Sequence, residues 1–114
     1  MAGAKKVTIS SRTKRLFARL TRDKFCIGKL ARNSEGQAVS PLNETATQWC
    51  AMAWIQINTS KGSPDRRNIF QEVSKLARSY GHTGIFEAND RMGYGFIEAI
   101  MAKRDHTPVE QNRV

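Results

Sequence analysis

The chain has 114 residues with 39% hydrophobic and 25% charged content, and 19 Lys+Arg against 10 Asp+Glu give a formal net charge of +9. This suits one globular domain and excludes wholesale disorder. The longest unbroken apolar run, Trp49 to Ile55, is far shorter than the roughly 20 residues a membrane-spanning helix needs.

Residues 1–9 are small and basic and are expected to form a flexible arm. The polar Thr8, Ser10 and Ser11 follow Lys5 and Lys6, so no secretory leader is expected. Ser10 or Ser11 caps a first helix to about Lys24, with Leu16, Phe17 and Leu20 on its buried face. Phe25 to Arg32 is short and mixed. Asn33-Ser34-Glu35-Gly36 reads as a turn, after which Gln37, Ala38 and Val39 can return as the second strand of a small hairpin.

After Pro41, Asn43 is expected to cap a helix over residues 44–58. The positions Ala46, Trp49, Cys50, Ala53, Trp54 and Ile57 recur at helical spacing, and Glu44 lies in the first turn. Ser63 and Pro64 open the next helix, with Ile69, Phe70, Val73, Leu76, Ala77 and Tyr80 as its apolar positions and Gly81 as its stop. Ile85 to Ala88 reads as a short turn of helix. Asn89 or Asp90 then caps a last helix to about Arg104, with Ile97, Ile100 and Met101 inward. The expectation is an all-α domain, or α with one minor β-hairpin. It is a compact bundle of about four helices over residues 10–104, followed by a polar tail at 105–114.

The turn Asn33–Gly36, Pro41, the Trp49-Cys50 pair and Asn89-Asp90 ahead of a final helix together resemble one small family. It is an uncharacterised family of small helical bacterial and phage proteins, and the resemblance spans roughly residues 16–103. It implies a compact helical fold and carries no activity to inherit.

The charge is placed unevenly. Residues 1–32 hold ten basic side chains and one acid, 10 − 1 = +9, whereas the remaining 82 hold nine of each and sum to zero. Arg12, Arg15, Arg19 and Arg22 would fall within an arc of about 80° on one helix and span about 15 Å. Guanidinium forks match phosphate oxygens bidentately, so such a ridge suits a nucleic-acid backbone, with Lys5 and Lys6 extending the contact. The bland alternative is a solvated helix face.

Other constellations are weaker. Trp49 and Trp54 read as core rather than a stacking platform, because residues 44–58 contain no Lys or Arg. Cys26, Cys50, His82 and His106 lack zinc-ligand spacing, so no metal or other cofactor is expected. Two cysteines 24 positions apart without a CxxC fit a reduced, cytoplasmic protein. His82, Glu87 and Asp90 are close in sequence, but nothing positions them for acid–base chemistry. Gly93-Tyr94-Gly95 could let a phosphate approach backbone N–H groups, or let two helices pack closely. The sequence thus points to a small basic non-enzymatic protein that binds nucleic acid or a complex containing it. The alternative is a protein-interaction module, such as a phage-type accessory protein or inhibitor of a host system, docking an acidic surface.

Overall fold

The computed structural model describes residues 7–103. Lys5, Lys6 and the 105–114 segment lie outside them. Among the described residues there are five α-helices and one three-stranded antiparallel sheet, so the four-helix bundle of the sequence reading is corrected.

Helix α1 (Ser11–Ala18) begins where the serines predict. Ser10 Oγ accepts the Thr13 N–H at 3.3 Å, satisfying a first-turn donor that has no carbonyl partner. It ends earlier than expected. Thr21 is extended (ψ 165°), and Arg22–Lys24 form a separate 3-10 turn.

Strands β1 (Ala31–Asn33), β2 (Ala38–Val39) and β3 (Ala46–Trp49) follow, in the order β2-β1-β3. The expected hairpin is β1–β2, with Ala31 opposite Val39 and Arg32 opposite Ala38. Asn33 closes its turn by accepting the Glu35 and Gln37 N–H groups on one side-chain oxygen.

The third strand overturns the helix placed over residues 44–58. Asn43 spends its side-chain oxygen on the N–H and hydroxyl of Thr45, closing a turn instead of capping a helix. Thr45 and Thr47 are β-branched and suit an extended chain. β3 then pairs with the far edge of β1, with Ala31 opposite Trp49 and a bulge between Arg32 and Asn33. Helix α2 is only Ala51–Ile57, capped by the Cys50 sulfur, which accepts the Ala53 N–H.

Helix α3 (Pro64–Ser79) matches its signals. Ser63 caps it, Pro64 sits in its first turn, and Gly81 (φ 89°) ends it. The Gly81 N–H donates to Arg78 O and the His82 N–H to Ala77 O, the paired bonds of a left-handed helix stop. The last helix is two. α4 (Ile85–Met92) contains Asn89 and Asp90 in its interior, and α5 (Tyr94–Ala102) starts after Gly93, whose φ of 63° turns the chain.

The core is made by helices. Ile9, Leu16, Phe17 and Leu20 pack with Trp54 and Ile55 of α2, Ile69, Val73 and Leu76 of α3, and Phe96, Ile97 and Ile100 of α5. Ile9 therefore belongs to the packed domain. The strands contribute one fully buried residue, Ala31. Trp49 of β3 packs against the helical core, and Asn89, which is 0% exposed, ties together the two segments that flank the sheet. Asn89 Oδ1 accepts the Ala51 N–H at 2.9 Å, and its Nδ2 donates to Cys26 O at 3.2 Å. Its neighbour Asp90 accepts the Gly28 N–H at 2.9 Å. Neither residue caps the last helix, contrary to the sequence expectation. No helix among the described residues is long and apolar enough to cross a membrane.

Candidate functional site

The buried face of α1 determines what its other side presents. With Thr13, Leu16 and Phe17 inward, Arg12, Arg15 and Arg19 are exposed. Arg12 reaches α3, where its Nη2 lies 2.6 Å from Asp65 Oδ2. Arg15 and Arg19 make no ion pair or side-chain hydrogen bond among the described residues. They are two outward guanidinium groups one helical turn apart, since positions four apart share a face.

Arg22 is not on that helix. The break at Thr21 places it on the 3-10 turn, where its guanidinium lies 4.7 Å from the centre of the Tyr94 ring and 3.0 Å from Glu98 Oε2. Both side chains of the Arg22–Glu98 pair are largely exposed, at 70% and 57%. Such a pair contributes under about 1 kcal/mol, so an incoming phosphate can compete for the arginine. The expected single ridge is thus two pieces: Arg12 and Arg15 on α1 with Arg19 at its C-terminal cap, and Arg22 over the ring of the first residue of α5.

Beside Arg22 lies an open cleft of about 450 Å³, walled by Arg22, Phe25, Ile27, Arg32, Gln48 and Tyr94. Phe25 and Tyr94 meet edge to face, with centroids 5.5 Å apart and planes at 74°. The Tyr94 hydroxyl donates to Leu20 O at 2.7 Å. Burial pushes its phenol above the usual range, keeping it a neutral donor. Arg32 is held in place by donating to Gly36 O at 2.9 Å and Ile27 O at 3.1 Å. The sequence reading missed this cleft. Its one signal was the interleaving of Arg22, Phe25 and Arg32, but Gln48 and Tyr94 arrive from distant segments.

Trp54 is buried and donates to Leu16 O, while half-buried Trp49 donates to Pro41 O. Their rings are 5.5 Å apart and both pack with the core, although they stand on a strand and a helix. Glu87 accepts the Thr83 N–H at 2.7 Å and lies 3.5 Å from His82 Nδ1. The Thr83 N–H, assisted by Arg91 and His82, holds the Glu87 carboxyl below its ordinary value. Asp90 faces Gly28 instead, so the three residues are not one constellation. Cys26 and Cys50 are buried free thiols. Desolvation pushes Cys26 up to about 11 and raises Cys50 as well, which disfavours the reactive thiolate. Among the described residues no group of three or more His, Cys, Asp or Glu side chains could hold a metal ion. Gly93 serves the turn between α4 and α5.

Comparison with protein-family models, characterised proteins and solved structures finds no match for this chain.

Proposed function

We propose that the chain is a small non-enzymatic protein of the reducing cytoplasm that binds nucleic acid, or a complex containing it, through its N-terminal arginines. Arg15 and Arg19 take backbone phosphates, Arg12 and Arg22 flank them, and Lys5 and Lys6 add charge from outside the described residues. The reading is carried by one observation: the chain's entire excess charge lies in residues 1–32, where α1 turns two arginines outward without a partner among the described residues. Charge gathered on one part of a surface steers polyanions more strongly than the same charge spread evenly. The free thiols accord with a reducing compartment.

The test is binding of a fluorescent oligonucleotide between about 50 and 200 mM salt, where log affinity should fall with log salt by about 0.7–0.9 per neutralised phosphate. Arg15→Ala and Arg19→Ala should each reduce that slope by about one, without changing sequence preference. Parent-like binding by a folded Arg15→Glu/Arg19→Glu variant overturns the assignment of these residues. A lysate partner that survives nuclease, combined with no affinity for bare oligonucleotides, replaces the reading with docking on an acidic protein.

A further inference from the structure

The cleft beside Arg22 differs from the α1 surface in kind. Its walls combine two aromatic rings with two guanidinium groups, and no carboxylate is among its lining residues. We propose that it takes one unstacked nucleobase of a single-stranded nucleic acid, with the base against Phe25 and the Arg22–Tyr94 pair and the flanking phosphates toward the α1 arginines. This inference rests on the nucleic-acid reading above and names the form of nucleic acid it concerns.

Three observations carry it. The first is the floor. Phe25 and Tyr94 are locked edge to face, and the Arg22 guanidinium lies over the tyrosine ring. A guanidinium supported in this way is itself a planar surface for stacking, and its side chain is 70% exposed. A base within a duplex already has both faces covered, whereas a single strand can offer one.

The second is charge. Arg32 uses two N–H groups on Gly36 O and Ile27 O, out of five that a guanidinium carries. The others remain for an anionic group, in a position fixed by those two bonds. Arg22 lines the cleft and stands three residues after Arg19 in the chain, across the break at Thr21.

The third is an edge reader. Gln48 donates its side-chain amide to Asp23 O at 3.4 Å. Gln48 also lines the cleft, and its side-chain carbonyl oxygen is the group that would accept from an exocyclic amine of a base. The cleft volume of about 450 Å³ also falls within the roughly 300–1,000 Å³ usual for small-molecule sites.

The experiment compares three labelled oligomers of about 12 nucleotides, a length suited to a compact single-strand site. They are a single strand of mixed sequence, the same strand as a duplex, and an abasic strand of equal charge. The full-length protein, Phe25→Leu and Arg15→Ala/Arg19→Ala are each measured. The expected result is preference for the single strand over both other oligomers, with losses of about 5-fold or more on removing either the bases or the Phe25 ring. The abasic arm uses the parent protein, so the inference stays falsifiable even if Phe25→Leu fails to fold. Equal binding of all three oligomers, still weakened by the Arg15/Arg19 changes, overturns the cleft and leaves the phosphate reading standing. Absence of binding to any oligomer overturns both.

Discussion

The helical half of the molecule and its sheet rest on different proportions of apolar packing and directional bonds. Helices α1, α2, α3 and α5 share a continuous apolar core in which Phe17, Leu76, Phe96 and Ile100 are fully buried. The sheet has two- to four-residue strands, and its edges are half-exposed or exposed. Its attachments combine the packing of Trp49 against Trp54 and the core with the bonds of Asn89 and Asp90 to the segments that flank it. Apolar burial is non-directional and tolerates small shifts, whereas a buried amide bonded on both ends fixes one arrangement. The cleft lies on the seam between the two regions, so its geometry depends on the directional bonds as well as on the core.

The contrast is broken most severely from the helical side. Phe96→Ala should destabilise the whole domain by about 3–5 kcal/mol, seen as a fall in the urea midpoint. Helix and sheet amides should then lose exchange protection together. Survival of helical protection in that variant would show that the core is not shared.

Asn89→Ala should act from the other side. It strands the Ala51 N–H and the Cys26 carbonyl, at roughly 1–3 kcal/mol for each group left buried and unpaired. Exchange in β1 and β3 should accelerate more than in α3. Equal acceleration in both would deny the sheet its separate means of attachment.

Alkaline pH provides a gentler perturbation at the same seam. Cys26 is raised from 9.0 to about 11 by burial, with the neighbouring Cys50 adding to the effect. Below pH 9 the thiol is protonated in folded and unfolded chains alike. Between 9 and about 11 the unfolded chain releases its proton first, so stability falls across that window. A Cys26→Ala variant should show a smaller decline in urea midpoint than the parent from pH 8 to 10.5. Parallel curves would mean that Cys26 is more solvated than its place in the fold implies.

The smallest effect belongs to the exposed pair joining the first helix to the third. Arg12→Ala should change stability by less than about 1 kcal/mol, because both partners remain over 40% exposed. A loss of several kcal/mol in thermal or urea denaturation would make this pair a structural tether.

Features set by local chemistry were legible in the sequence. Ser10, Ser63, Pro64 and Gly81 each act on atoms a few residues away, and each marks a helix end as predicted. The outward exposure of Arg15 and Arg19 likewise follows from the Leu16/Phe17 spacing. The 44–58 segment misled because Ala46, Trp49, Cys50 and Ala53 fit helical spacing while residues 46–49 form a strand. What decides between the two is β1, a partner from another part of the chain. Asn89 misled for a similar reason, since its short polar side chain has the chemistry of a cap but its bonds go to residues 26 and 51. The cleft was hidden for the same cause: Gln48 and Tyr94 join Arg22 and Phe25 only after the fold forms.

Asn89 has a consequence for how this chain can vary. Its two ends hold the carbonyl just before residue 27 and the amide just after residue 50, so the whole sheet is an excursion between two anchors grasped by one side chain. Doubling the length of a flexible loop adds only about 0.6 kcal/mol to the entropy of closing it. Given fixed anchors, a longer hairpin or an inserted peptide beyond β1 leaves the helical scaffold nearly unaffected. The excursion behaves as an interchangeable head on a constant handle, with Asn89 as the fitting between them.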